Sequence, residues 1–292
     1  MASKGTDYTE LTQRLAFVDD GLAARSVGAW TRDKLALIAY YLPAFAKLCS
    51  EKANGWYYVD GFADNGANRI DDFGLAKGSA LIGLATEPAC KTSILVEMNP
   101  ADARVLARRE AALGLEATVL MGDCNLVLPP ALRRLPDLRL PAFCVLDPEG
   151  LELDWTTVVA CRDNRSWSYP YELLIYFSTP GTTRSAAVQD ARFIASNEER
   201  LNRLFGGPGW KPIATAIRAG NLQPGEGGRQ MLALYASQLR DLGYTTVLSR
   251  PAVREQGNLV YHMVFASANA AGKSIMTDAF SRAFATQLPL QF

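Results

Sequence analysis

The stretch WYYVDGFADNGAN, residues 56–68, runs from aromatic residues and a valine into an acidic residue and a group of small residues. Its apolar start predicts a strand that ends at Asp60. Gly61 and Gly66 predict a turn in which the backbone comes close to another group. A carboxylate beside such a turn favours a positively charged or hydrogen-donating partner. The stretch therefore predicts a strand that ends at a binding site.

Similar strands alternate with helices through the first two thirds of the chain. The predicted strands after the first are TSILVE (92–97), ATVLMGD (117–123), AFCVLD (142–147) and YELLIYFS (171–178). Such alternation argues for a parallel sheet that is covered on both faces. The last two strands, 244–253 and 258–268, are joined by so short a segment that they must be antiparallel. We therefore expect an α/β fold with a mostly parallel, doubly wound sheet and an antiparallel last strand.

The domain organisation follows from the same pattern. Residues 1–28 are polar and mixed, and we expect an N-terminal arm followed by a single domain over 29–292. Apolar spacing predicts a first helix over 31–49, one helix over 186–206 and a last helix over 272–287. The segment GGPGW breaks the second of these, and a loop is expected over 219–228. Residues 181–228 read as a helical insertion that caps the carboxyl edge of the sheet.

Composition excludes several classes of protein. The 292 residues are 49% hydrophobic, which is enough for a large core. The 30 basic residues equal the 30 acidic ones, so charge leaves a nucleic-acid contact open without indicating one. Five cysteines without a CxxC pair predict buried thiols in a reducing cytoplasm. One histidine, His262, excludes a multi-histidine metal site, and no apolar run is long enough for a membrane span.

Four successive predicted strands end on an acidic residue: Asp60, Glu97, Asp123 and Asp147. In a doubly wound sheet, ligands bind outside the carboxyl ends of the strands. The four carboxylates should therefore line one crevice and serve one ligand. A simpler interpretation is that each acid caps the helix that follows it, and Asp123 is most open to that interpretation.

The acids suit the parts of a nucleoside ligand. Glu97 ends the second strand, where an acidic residue takes ribose hydroxyls, and Asp123 could accept a hydrogen bond from a purine amine. The chain lacks the G-x-G-x-x-G spacing and the P-loop motif. Acids in the first turn suit a ligand with a positive end, and S-adenosylmethionine has one. The predicted cofactor-binding residues are Asp60, Gly61, Phe62, Ala63, Gly66, Glu97 and Asp123.

These motifs resemble those of class I methyltransferases. DGFADNG (60–66) is similar to their D-x-F-A-G-x-G motif, and SILVEMNP, LMGDCN and FCVLDPEG look like the second, third and fourth motifs. Their order, with LNRLFGGPGW (201–210) and YHMVFASANAAGKSIMTDAF (261–280), resembles the three-Cys-motif partner family. The resemblance implies a Rossmann-like methyltransferase fold, S-adenosylmethionine as cofactor and a companion three-Cys-motif protein. It departs at Asp64, where the family usually has glycine.

The segment LDPEG (146–150) supplies the predicted catalytic residues. Amino-methylating enzymes of this fold carry an Asp/Asn-Pro-Pro-aromatic tetrad here, and Asp147 and Pro148 keep its first half. Asp147 would orient a nitrogen or oxygen nucleophile, and Glu149 would accept a proton. Trp155 or Phe177 could replace the missing aromatic ring, and Lys34 is expected to face solvent. The alternatives are a non-catalytic module that docks a partner and, less favoured, a metal-dependent nuclease using the four acids.

Overall fold

The computed structural model describes residues 13–163, 171–254 and 257–283. Its strands, in chain order, are β1 (Arg25–Val27), β2 (Tyr57–Asp60), β3 (Ala67–Ile70), β4 (Gly74–Lys77), β5 (Thr92–Glu97), β6 (Thr118–Met121), β7 (Ala142–Leu146), β8 (Glu172–Phe177), β9 (Thr246–Val253) and β10 (Leu259–Ser267). Its helices are α1 (Trp30–Ala53), α2 (Ser79–Leu84), α3 (Pro100–Ala112), α4 (Cys124–Leu132), α5 (Trp155–Asp163), α6 (Thr179–Ala187), α7 (Ala191–Phe205), α8 (Lys211–Arg218), α9 (Pro224–Asp241) and α10 (Ala270–Ala283).

A seven-stranded sheet has the order β6-β5-β2-β7-β8-β10-β9. Strands β2, β5, β6, β7 and β8 are parallel, and β10 runs antiparallel to both β8 and β9. The chain leaves β2 on one side toward β5 and β6, and then returns to the other side at β7. The predicted fold class, a Rossmann-like and mostly parallel sheet with an antiparallel last strand, is therefore confirmed.

Helices cover both faces of the sheet, which is why β7 and β8 are buried along their whole length. On one face α1 and α10 pack together, and an aromatic group centred on Tyr41 and Phe143 lies between α1 and the strands. On the other face, α4 to α9 build a second core around Phe177 and Tyr235. No helix within the described ranges is both long and apolar enough to cross a bilayer.

The boundaries differ from the prediction in the region after β8. The single helix expected over 186–206 is two helices, α6 and α7, because Asp190 caps a new start by accepting a hydrogen bond from the Arg192 amide. Helix α9 begins inside the expected loop at Pro224, whose fixed φ suits a first helical turn. The end of the predicted last helix, 284–287, lies outside the described residues. The domain and insertion boundaries remain predictions.

Residues 13–27, here called the N-terminal strap, lie against the domain. Leu15 is fully buried in the first core. Strand β1 pairs in parallel with β3, which pairs antiparallel with β4, and these three strands make a small second sheet. The sequence offered no signal for this sheet, because its strands are too short to show a period of two.

The side chain of Arg109 on α3 fixes the strap. Its guanidinium, 1% exposed, donates to both carboxylate oxygens of Asp20 at 2.7 and 3.0 Å. It also donates to the Asn65 carbonyl at 2.8 Å and to the Leu22 carbonyl at 3.3 Å. Because Asn65 belongs to the turn after β2, this one cation ties the strap to that turn.

We expect Arg109→Met to lower the free energy of unfolding by about 1–3 kcal/mol, the range for a buried polar group that is left without its partner. The substitution leaves the buried Asn65 carbonyl without its donor and releases Asp20. Urea denaturation would measure the loss. Arg108→Met, at the neighbouring exposed position, is the matched control and should change stability little. Equal stability of the two variants would contradict this role of Arg109.

Candidate functional site

The register of the parallel strands brings the predicted site residues to one edge. Asp60 lies beside Leu95 of β5 and Val145 of β7, and Glu97 lies beside Met121 of β6. The acids at or just after these strand ends therefore meet at the carboxyl end of the sheet. We call this region the carboxyl-edge crevice; its residues are Asp60 to Gly66, Glu97, Asp123 and Asp147 to Glu149.

Asp60 organises the first turn from inside the protein. Its side chain is 0% exposed; it accepts a hydrogen bond from the Phe62 amide at 3.1 Å and lies 3.3 Å from the Tyr58 hydroxyl. Burial raises the pKa of Asp60 to about 6, although the Ser79 side chain and the Phe62 amide oppose the shift. Ala63 is buried as well, and its amide donates to the Val96 carbonyl at 2.8 Å. Asp60 thus shapes the turn without facing the crevice.

The two glycines of the turn come close to protein atoms. A side chain at Gly61 would meet Leu146 at 2.8 Å and the Cys124 sulfur at 2.9 Å. Gly66 has a φ of +86°, and a side chain there would meet Leu106 at 2.9 Å. Valine at either position would therefore disturb the core.

Asp64 has a φ of 54°, in the left-handed region that favours glycine. Its carboxylate accepts hydrogen bonds from the amide of the next residue, Asn65, at 2.8 Å and from the Arg25 guanidinium at 2.7 Å. Arg25 also forms an ion pair with Glu149 after β7. One strap residue therefore joins the first turn to the predicted catalytic segment. Arg25 was not predicted as a site residue, because β1 shows no pattern of its own.

Glu97 remains partly open to the crevice. Its carboxylate accepts a hydrogen bond from the Asn99 amide at 2.6 Å, and burial together with nearby Asp64 raises its pKa. Asp123 is exposed and caps α4 by accepting from the Asn125 amide at 2.9 Å, as the simpler interpretation proposed. Two large apolar side chains beside these acids are exposed, Met98 at 70% and Leu126 at 73%. Apolar surface next to free carboxylate oxygens suits a flat ring that carries polar groups.

Asp147 forms an ion pair with Lys34 of α1. Both side chains are largely covered, at 21% and 16% exposure, so the expectation that Lys34 faces solvent is wrong. The helical period places Lys34 on a face of α1, but it cannot say which partner that face meets. Pro148 is buried and Glu149 is exposed. The crevice thus contains two cations, Arg25 and Lys34, among its carboxylates.

Other candidates from the sequence lie in the core. Phe177 is 2% exposed and packs against Tyr235, so it presents no free face for stacking, whereas Trp155 is partly buried and meets the same ring edge to face. His262 is buried, and its Nδ1 lies 2.6 Å from the Thr179 hydroxyl, as expected of a satisfied strand residue. Burial lowers its pKa to about 4. Trp210 is fully buried and donates to Asn202.

A separate cavity of about 440 Å³ lies at the opposite, amino edge of the sheet. Glu172 lines it and is buried, accepting hydrogen bonds from the hydroxyls of Tyr41 and Ser267. Burial raises the pKa of Glu172 to about 7. These bonds tie α1 to the start of β8, which gives Glu172 a structural role.

No family model matches the chain, and no curated protein matches it significantly. Among solved structures, protein LPL1258 from Legionella pneumophila has a TM-score of 0.48 and 10% identity, over 86% of this chain and 94% of that one. The O-methyltransferase TomG from Streptomyces achromogenes, solved with SAM, has a TM-score of 0.45 and 13% identity, over 92% of this chain and all of that one. Similarity at this level concerns the fold.

The raised pKa of Asp60 predicts a pH-dependent stability. Because the folded pKa of about 6 exceeds the ordinary value of 3.8, the stability that Asp60 contributes is present at low pH and is lost as pH rises through 6. We expect Asp60→Asn to remove this loss and to raise the free energy of unfolding at pH 8 by up to about 3 kcal/mol. Below pH 4 the variant and the wild type should be about equally stable.

Urea denaturation of both proteins across this pH range would measure the effect. Asp71→Asn, at an exposed position, is the control and should follow the wild type. An Asp60→Asn protein that is destabilised by the same amount at every pH would contradict the assignment.

Proposed function

We propose that this protein is a methyltransferase that uses S-adenosylmethionine. The observation that carries the proposal is the carboxyl-edge crevice, where Glu97, Asp123 and Asp147 lie at the ends of parallel strands and exposed apolar side chains lie beside Glu97 and Asp123. The cofactor has a positive ammonium, a positive sulfonium, a ribose diol and an adenine ring. The ammonium, the ribose diol and the adenine ring each have a chemically matched residue in the crevice.

The nucleoside half would bind at the ends of β5 and β6. Glu97 would accept the two ribose hydroxyls, since one carboxylate supplies two acceptor oxygens. Met98 and Leu126 would pack against the adenine ring, and Asp123 would accept a hydrogen bond from its amine. Asp123 already caps α4, and a carboxylate has lone pairs left for a second donor.

The methionine half would bind at the turn that Asp60, Gly61, Phe62, Ala63 and Gly66 form. Arg25 would hold the α-carboxylate, because it is the cation that lies beside this turn. Asp64 would hold the α-ammonium and could exchange part of its pairing with Arg25 for that group. The departure from glycine at Asp64 then supplies a ligand contact through its side chain.

The methyl acceptor would bind beside Asp147, Pro148 and Glu149. Methyl transfer depends on an aligned nucleophile more than on a strong base. Asp147 and its partner Lys34 would align the acceptor, and Glu149 would stay near the entrance with Arg25. The cofactor, once bound, supplies the methyl group on a positively charged sulfur.

A second candidate is a non-catalytic module that keeps the methyltransferase fold in order to dock a partner, such as the companion that the three-Cys-motif resemblance implies. The ion pairs of Arg25 with Asp64 and Glu149 favour it, because they already satisfy the charges of the turn. In both cases we propose a cytoplasmic protein, since its five cysteines are free thiols. Nucleic acid remains one of the acceptor classes to test.

We expect Glu97→Gln to weaken S-adenosylmethionine binding by about 1.5–3 kcal/mol, the range for a hydrogen bond to a charged group. Isothermal titration calorimetry on the folded variant would measure the change. Glu116→Gln, on the exposed loop before β6, is the control. Unchanged affinity in Glu97→Gln would reject the ribose assignment.

The activity itself is tested with tritiated S-adenosylmethionine and a panel of acceptors: tRNA, rRNA, DNA and small acids and amines. We expect label to transfer to one class, and we expect Asp147→Ala to keep cofactor affinity while losing turnover by at least about 100-fold. Tight cofactor binding without transfer to any acceptor would favour the docking module. Full turnover in Asp147→Ala would show that Asp147 does not align the acceptor.

A further inference from the structure

Two tyrosine hydroxyls near the crevice are buried without a hydrogen-bond partner among the described residues: those of Tyr176 on β8 and Tyr261 on β10. Their rings meet edge to face at 5.3 Å. Neighbouring tyrosines differ, because the Tyr58 hydroxyl donates to the Ser79 carbonyl and Tyr41 donates to Glu172. Leaving a buried hydroxyl unpaired costs about 1–3 kcal/mol. Two unpaired hydroxyls side by side are therefore available to bind a ligand.

Both hydroxyls belong to the surroundings of the Lys34–Asp147 pair. The Lys34 ammonium lies 5.1 Å from the centre of the Tyr176 ring. Burial is the largest cause of the raised pKa of Tyr176 and of Tyr261, and the negative charge of Asp147 is the second largest. Tyr235 and Tyr244 also lack partners, but they belong to the second core on the other face of the sheet. Tyr176 and Tyr261 therefore differ from Tyr235 and Tyr244 in lying close to the Lys34–Asp147 pair.

Lys34, Tyr176 and Tyr261 have hydrogen-bond donors that no described residue accepts, and the carboxylate of Asp147 lies beside them. An ammonium has three N–H donors, and among the described residues Lys34 gives a hydrogen bond to Asp147 alone. Each tyrosine adds one O–H donor. The carboxylate that would accept hydrogen bonds from a target amine is already neutralised by Lys34. An oxygen anion would accept from the ammonium and from both hydroxyls at once, whereas an amine could use only the lone pairs of the two tyrosine oxygens and would leave the Lys34 donors unused.

We propose that the methyl acceptor is an ionised oxygen acid, a carboxylate, enolate or phenolate, whose oxygen is held by Lys34 and by the hydroxyls of Tyr176 and Tyr261. This inference rests on the proposed methyltransferase function and narrows it to oxygen methylation. Lys34, Tyr176 and Tyr261 are then acceptor-binding residues, and Asp147 positions Lys34.

The step needs no base. The acceptor arrives without its proton, and a lone pair on its oxygen forms the new O–C bond. The S–C bond of the cofactor breaks as this bond forms, and its electron pair stays on sulfur. The products are a methyl ester or ether and a neutral thioether. Charge is balanced, because one anion and one sulfonium cation become two neutral groups.

The first test compares stability with binding. Tyr176→Phe and Tyr261→Phe remove hydroxyls that have no partner, so we expect the ligand-free variants to be as stable as the wild type or more stable. Tyr41→Phe is the matched control: it removes a paired hydroxyl and should lower stability while leaving acceptor binding unchanged. If Tyr176→Phe and Tyr261→Phe lose as much stability as Tyr41→Phe, the hydroxyls serve the fold and the proposal fails.

The second test uses three probes of one shape: benzoate, benzylamine and benzyl alcohol. Calorimetry on the full chain, with and without S-adenosylmethionine, should show that benzoate binds best. Its dissociation constant should rise about tenfold in Lys34→Gln and about 3–10-fold in each Tyr→Phe variant, with cofactor affinity unchanged. Tighter binding of benzylamine than of benzoate would overturn the acceptor class, and so would benzoate affinity that these substitutions do not change. Either result would leave the methyltransferase proposal standing. A wild-type protein that does not bind S-adenosylmethionine would instead overturn the methyltransferase proposal and, with it, the acceptor role.

Discussion

The arrangement of the site depends on one constraint, which is that like charges meet at one edge of the sheet. Parallel strands in register end together, so the acids that follow β2, β5 and β7 are brought into one region of reduced dielectric. Strands β2, β5 and β7 themselves carry no basic residue. Lys34 from α1 and Arg25 from the strap provide the opposite charges. The elements before β2 are therefore part of the site, although they lie outside the central sheet.

The sequence predicted the strands and helices that have a short repeating pattern, and it missed the site residues whose roles depend on distant contacts. The strands from β5 to β8 were placed almost to the residue, because continuous apolar runs bounded by turns are typical of buried parallel strands. Asp60, Glu97 and Asp147 were correctly placed at one edge by the parallel order. Lys34 and Arg25 were missed as site residues, since their partners lie 113 and 39 residues away along the chain. No local pattern encodes such pairs.

Asp64 shows how a motif can change a residue and keep its backbone. The turn requires a left-handed conformation at this position, which glycine adopts without cost. Aspartate is among the side chains that enter this region, because its short carboxylate can bond to nearby backbone amides. Here it does so with Asn65, and it gains Arg25 as a charged partner. The conformation of the motif is kept, and a negative charge is added at the mouth of the crevice.

The Arg109–Asp20 contact can form only late during synthesis of the chain. The two residues are 89 positions apart, and Asp20 leaves the ribosome first. At typical elongation rates, the strap waits roughly 4–18 s before α3 emerges. Until then β1 can pair with β3 and Arg25 with Asp64, whose residues are made earlier, but Asp20 still lacks its partner. A chaperone or partner that meets the chain co-translationally would find the strap without its Arg109 anchor.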